Sequence, residues 1–300
     1  MRRQNFIAAV IIAFSLFPFL NLVKADNTMI YWDTVRGGIK KMSADGTGKQ
    51  DVISYTGMTK WEALSGLSID SVEGKMYWTY SDNSYNNIHK IKCANLDGSQ
   101  IQDFFNGGTE YDFAVDSVNR RLYWANDFIG SVNLNGSNPS YFYAGNLTCD
   151  IDIDSAAGKL YWADNWDGVV MRSNLDGSQQ EVVDVAETGP PTAIALDTVH
   201  NGMYIASGET LWWSNLDGSG YHDIGSFPGG FISDIACDPY GGKVYWSTYN
   251  AIYRANLDGS DIETLATDTY IESIAIVTVP EPTTLFLLGL GAVIIRKFKA

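Results

Sequence analysis

An aromatic pair recurs along this chain at intervals that leave little freedom in how it can fold. Tyr31–Trp32, Tyr77–Trp78, Tyr123–Trp124, Tyr161–Trp162 and Tyr245–Trp246 are full copies, and Tyr204–Ile205 is a copy that has lost its indole. A turn keeps step with the pair, at Asp45–Gly46, Asp97–Gly98, Asn135–Gly136, Asp176–Gly177, Asp217–Gly218 and Asp258–Gly259. Self-similarity at about forty residues marks a repeat architecture, in which one supersecondary unit is copied and stacked.

Each full repeat opens with a short apolar run ending in Asp, at Asp70, Asp116, Asp154, Asp197 and Asp238. The following Tyr comes 7 residues later in all five. A constant gap with Gly or Asn inside it predicts a hairpin of fixed register, with the Asp carboxylate folded over the backbone N–H groups of the turn. Adjacent strand residues face opposite ways, so a Tyr–Trp pair buries large rings on both faces of its sheet. A sandwich sheet would alternate apolar with polar; a propeller blade, packed on both sides, need not. The Leu-Asp-Gly-Ser turn then predicts a tight Asp-Gly hairpin between a third and a fourth strand.

The two ends complement each other. Met29–Asp33 carries the first Tyr–Trp but no opening strand precedes it, whereas Ile274–Val277 is an opening strand with no Tyr–Trp after it. Pairing them closes a ring of six blades with no free edge. The expected fold is therefore all-β, a six-bladed β-propeller over residues 26–278.

These repeats resemble the YWTD repeats of the low-density lipoprotein receptor family, which carry an opening strand ending in Asp, a Tyr-Trp-Thr-Asp run and a Leu-Asp-Gly turn. The resemblance spans residues 28–277 and implies a six-bladed propeller that binds protein ligands on its loop face. Departures are visible: Tyr161-Trp162-Ala163-Asp164 alone keeps the closing Asp cleanly, and Tyr204-Ile205-Ala206-Ser207 lacks the Trp. The growth-factor-like modules of the receptors are absent, so endocytic function does not carry over.

Both termini read as processing signals. Residues 1–25 have a basic start, an apolar stretch and Val23-Lys24-Ala25, a signal-peptide pattern with cleavage after Ala25. Residues 279–300 run Pro280-Glu281-Pro282, an apolar segment Thr283–Ile295, then Arg296-Lys297-Phe298-Lys299. The apolar segment reaches about 20 Å as a helix, short of a ~30 Å hydrocarbon core. This order resembles the PEP-CTERM sorting tail of proteins exported by Gram-negative-type bacteria. It implies an exosortase-type enzyme acting near Pro280–Pro282, a membrane contact limited to the transient tail, and delivery to the envelope, outer surface or extracellular matrix.

The net charge is −15, and without the six basic residues of the two ends the balance is 14 basic against 35 acidic. Such a chain repels nucleic acid and anionic lipid; solubility is the simplest use of the charge. Cys93, Cys149 and Cys237 sit in or beside strands with no Cys-x-x-Cys spacing. They suit buried thiols, with one disulfide left open and a metal site disfavoured.

Function should sit in the variable segments between the Tyr–Trp strand and the Asp-Gly turn, and in the blade-to-blade connections. Both emerge on one face around the channel, and loops on a rigid scaffold commonly carry binding. That face is expected to hold Trp61, Glu62, Glu110, Tyr111, Asp127, Phe128, Trp166, Asp167, Tyr249 and Tyr270. Aromatics mixed with carboxylates suit a protein or glycan contact, although each aromatic could instead pack between blades. No catalytic constellation is expected. His89, His200 and His222 fall in different repeat phases, and neither a Gly-x-Ser-x-Gly elbow nor a His-Glu-x-x-His helix occurs. The sequence-based expectation is a monomeric, non-enzymatic binding protein with no cofactor. Two alternatives stay open. One is a calcium-dependent propeller lactonase or esterase drawing on Asp150, Asp152 and Asp154, with Asp152 alone turned to the channel. The other is a purely structural matrix component.

Overall fold

The computed structural model describes residues 28–35, 37–55, 62–82, 88–106, 112–125, 128–145, 148–185, 189–227 and 229–278. Within them run 24 strands in six antiparallel sheets of four. The first sheet takes β1 (Thr28–Thr34), β2 (Gly38–Ser43) and β3 (Gln50–Ser54). The second is β4 (Glu62–Asp70), β5 (Lys75–Asp82), β6 (Ile88–Asn95) and β7 (Gln102–Asn106). The third is β8 (Phe113–Asp116), β9 (Arg121–Trp124), β10 (Phe128–Asn133) and β11 (Ser140–Tyr143), and the fourth is β12 (Thr148–Asp154), β13 (Lys159–Asp164), β14 (Val169–Asn174) and β15 (Glu181–Val185). The fifth is β16 (Ala193–Asp197), β17 (Gly202–Ser207), β18 (Thr210–Asn215) and β19 (His222–Ser226). The sixth is β20 (Ile232–Asp238), β21 (Lys243–Thr248), β22 (Ala251–Asn256) and β23 (Glu263–Thr267), and β24 (Ile271–Thr278) returns to the first sheet as its innermost strand. The innermost strands β4, β8, β12, β16, β20 and β24 each lie beside the next, and β24 lies beside β4, which closes the ring of a six-bladed propeller.

The closure follows the expected pairing. Met29 sits opposite Val277, Ile30 opposite Ile276 and Trp32 opposite Ile274. The constant seven-residue gap also fixes register as expected: the strand-ending Asp pairs with the fifth residue after it, as in Asp70 with Lys75, Asp154 with Lys159 and Asp238 with Lys243. Asp70 Oδ1 accepts from the N–H groups of Val72 and Glu73, and Asp116 Oδ1 from those of Val118 and Asn119.

The Tyr–Trp pairs divide their rings between neighbouring cores. Tyr31 shares a core with Trp78 of the next blade, Tyr77 with Trp124, Tyr123 with Trp162, Tyr204 with Trp246, and Tyr245 with Trp32. Trp32, Trp78, Trp162 and Trp246 are fully buried. Tyr hydroxyls reach across the same seams: Tyr31 donates to the Leu96 carbonyl, Tyr161 to that of Leu216 and Tyr204 to that of Leu257. At the degraded copy, Tyr161 meets Ile205, and Trp212, directly opposite Ile205 in β18, packs against that core and stacks on Tyr221 at 4.9 Å. The indole missing from the second strand is replaced from the third.

One turn differs from expectation. The Asp-Gly step is not a two-residue hairpin. The Asn95 carbonyl accepts from Gly98 N–H, Asn95 N–H donates to Ser99, and Gly98 takes φ 82°. This is a three-residue loop with a left-handed glycine bulge. Asp97 Oδ1 accepts from Ser99 N–H, and the Asn95 amide donates to Ser99 Oγ. The Asn flanking the motif therefore lengthens the loop that a bare Asp-Gly reading shortens.

Candidate functional site

Strand direction separates the two ends of the propeller. Innermost strands run toward the Asp-capped turns, so second-to-third-strand loops and blade-to-blade connections gather at the opposite end. Of the residues expected there, Trp61, Glu110, Tyr111 and Asp127 lie outside the described residues, and of Glu62 only its place as first residue of β4 is described. The others are present and exposed. Trp166, 73% exposed, rides on a turn in which Asp164 accepts from Gly168 N–H through its carbonyl and from Asp167 N–H through Oδ1. Asp167, beside it, is also exposed. Tyr249 occupies the two-residue turn between β21 and β22, and its ring meets Tyr270 edge-on at 4.6 Å. Phe128 opens β10 and meets Tyr143 edge-on at 5.7 Å. None of these four, Phe128, Trp166, Tyr249 and Tyr270, belongs to an inter-blade core.

At the centre of this loop face, a cavity of about 300 Å3 opens into the channel. Asp112, Asp150, Asp234 and Glu272 line it, with the exposed Phe231 at its edge. Among the described lining residues there is no Lys, Arg or His. A second space of about 200 Å3 shares Asp112, Asp150 and Asp234 and extends to Asp152. The expectation that Asp152 alone faces the channel is corrected here. Asp150 faces it too, and only Asp154 serves its turn, accepting from Ala157 N–H.

Most of these carboxylates have structural work. The channel edges of the innermost strands expose N–H groups that need acceptors. Asp150 accepts from Ile151 and, across the seam, Ile194; Asp152 accepts from Ile153 and Leu196; Asp234 accepts from Ile235 and Ile274. Desolvation pushes all of them up: Asp152 to about 6, and Asp150 and Asp234 well above the usual carboxylate range, helped by Asp112 and Asp150 respectively. Asp112 rises to about 8 from burial and then from Asp234, and Asp33 to about 7 chiefly from burial.

Asp112, Asp234, Glu272 and Phe231 escaped the sequence reading, yet two of these acids share a periodic signal with Asp150. Asp112, Asp150 and Asp234 each stand four residues before the strand-ending Asp of their blade, at Asp116, Asp154 and Asp238. Equivalent positions in the other blades are Gly66, Ala193 and Ser273. Aligning the repeats at this position, instead of reading one Asp-rich strand, exposes a half-acidic ring.

The cysteines are free thiols: Cys93 is buried, and Cys149 and Cys237 are half-buried with thiols pushed up by desolvation.

Comparison with known proteins bears on the fold and the tail. The chain is similar to a solved chain from the crystal structure of a nidogen/laminin complex, at 18% identity and a TM-score of 0.71, over 84% of this chain and 98% of that one. Residues 278–297 match the PEP-CTERM protein-sorting motif. The chain is thus a six-bladed β-propeller carrying the sorting tail of an exported protein.

Proposed function

We infer that the protein is an exported, non-catalytic binding module that holds a protein or glycan partner on its loop face, while its tail delivers it, through an exosortase-type enzyme, to the cell envelope or an exopolysaccharide matrix. One observation carries this reading: Trp166, Phe128, Tyr249, Tyr270 and Phe231 stand exposed at one end of a rigid ring, outside every inter-blade core. Rigid aromatic anchors contribute much of the energy of protein and glycan recognition at little entropic cost. The similar solved chain comes from a complex of nidogen with laminin, which supports binding through such a ring.

A catalytic role finds less support. His200 is engaged with Asp197 at the opposite end, and the thiol of Cys149 donates to the Pro191 carbonyl. The acidic cavity favours retaining calcium-dependent lactone or ester hydrolysis as the second reading, since carboxylates at a channel mouth can hold a Lewis acid.

The test is capture from secretome and exopolysaccharide fractions of the host by immobilised protein. Trp166→Ala should keep the melting temperature and weaken capture about thirtyfold, the loss of one ~2 kcal/mol anchor. No capture by the wild type would leave a purely structural role, and capture unaffected by Trp166→Ala, Tyr249→Ala and Phe231→Ala would put the binding surface elsewhere. Calcium-dependent hydrolysis of lactones or esters would establish the enzyme instead.

A further inference from the structure

We propose that the carboxylates of Asp112, Asp150 and Asp234 form a binding site for a divalent, oxygen-preferring cation, calcium by its chemistry, at the loop-face mouth of the channel. Each side chain offers one oxygen, and the three oxygens lie within 4.8 Å of one another. An ion about 2.4 Å from each, the usual calcium–oxygen distance, requires oxygens no farther apart than this limit, a condition the three meet.

Edge clasping explains Asp150 and Asp234, whose oxygens each accept backbone N–H groups. It explains Asp112 only in part: its carboxylate meets the Phe113 N–H and the side chain of Asp150. By the repeat, the Ile151 N–H is the donor that Asp112 should receive from the next blade. Asp150 takes it instead, because a second acid stands at the equivalent position there. The Asp112 Oδ1 atom is left enclosed and without a hydrogen-bond partner, although the residue as a whole keeps a half-buried edge on the cavity. The fully buried Asp33 Oδ2 is also without a partner, and its charge acts on both Asp112 and Asp234. An enclosed carboxylate oxygen lacking a donor costs several kcal/mol unless a proton or cation is supplied.

The surroundings choose between cations. Asn165, Ser65, Thr192, Ser233 and Ser273 add neutral oxygens to the lining, matching the mixed carboxylate, amide and hydroxyl sets that calcium takes in six- to eight-fold coordination. Among the described residues no imidazole lines the cavity, and the one thiol there, Cys149, is held protonated by desolvation, which disfavours zinc and copper. Gly66 completes the arrangement. It lies in a bulge of β4 at φ 63°, and a Cβ there would come within 3.0 Å of Asp112 Oδ1. The glycine keeps open the space beside the unpartnered oxygen.

This inference does not depend on the partner reading, since it concerns the ion alone. The experiment is isothermal titration of calcium chloride into purified, chelator-stripped protein at pH 8, with magnesium chloride in parallel. One calcium per chain is expected, bound at least tenfold more tightly than magnesium, with a rise in melting temperature on binding. Asp112→Asn, which keeps an acceptor oxygen for the Phe113 N–H, should remain folded and lose calcium affinity at least tenfold. Asp176→Asn serves as control, because Asn135 already fills the equivalent turn position in another blade; its affinity should be unchanged. Absence of calcium uptake by the folded wild type would overturn the proposal and leave a proton shared between Asp112 and Asp150. Equal weakening in Asp112→Asn and Asp176→Asn, or no weakening in a folded Asp112→Asn, would overturn it in favour of diffuse binding to the acidic surface.

Discussion

Two tryptophans four residues apart, Trp162 and Trp166, show how position decides what a side chain does. Trp162 is fully buried between the third and fourth blades and donates to the Ala144 carbonyl at 3.0 Å. Trp166 stands 73% exposed. Trp162→Ala should cost about 3–5 kcal/mol of stability, whereas Trp166→Ala should leave chemical denaturation curves unchanged; equal midpoints for the two variants would show the assignment to be wrong. The channel acids make a second prediction. The Asp33 carboxyl is pushed up to about 7 and that of Asp112 to about 8, above unfolded values of about 4. The folded chain therefore keeps protons that the unfolded chain has already released. Their stabilising contribution is full below about pH 4 and is lost as pH rises through 7 and 8. The turn aspartates, such as Asp45 and Asp176, are shifted downward, so their contribution changes only below that window. In chelator, the melting temperature should fall between pH 5 and pH 8; a rise over that range would contradict the buried-acid account. Of these residues, the sequence named Trp166 as a loop-face candidate but left open whether it packs between blades. It did not show Asp112, because what singles it out is a donor taken by a neighbour in the next blade.

At the scale of the element, ring closure was legible because it follows from counting: one opening strand too few at the start and one too many at the end. Register was legible for the same reason, since a fixed seven-residue gap admits a single pairing. The third-to-fourth-strand turn was not, because Asp-Gly suits both a two-residue hairpin and a three-residue bulged loop, and the flanking Asn and Ser choose the longer one. Nor was the rescue of the Ile205 seam by Trp212, which depends on cross-strand register. β24 supplies Ile274, Ala275 and Val277 to the cores on its two sides. Deleting residues 271–278 would open the ring and expose both cores, so the truncated protein is expected to lose its cooperative thermal transition altogether. A normal melt would mean that closure contributes little.

Across the whole molecule, the proposed function divides between the two ends of the channel. Thr28 and Thr278, whose hydroxyls lie 3.1 Å apart, mark both chain exits from the propeller at the Asp-capped end, opposite the loop face. Every repeat phase is complete by Thr278, so a chain ending there should melt with the full-length protein, and a large loss of stability would show that the tail contributes to the fold. The acidic balance of the whole chain, 35 Asp and Glu against 20 Lys and Arg, favours solubility. It leaves exposed neutral aromatics as points of short-range attraction, Trp166 and its neighbours at the loop face and Tyr240 at the Asp-capped end. Hydrogen exchange of the protein, free and loaded with the host exopolysaccharide or secretome fraction it retains, tests that division most directly. Loop-face binding requires new protection in the segments 165–168, 249–250 and 268–271 and none in the Asp-capped turns 71–74 and 239–242. Protection confined to those turns, or no retained partner at all, would contradict it.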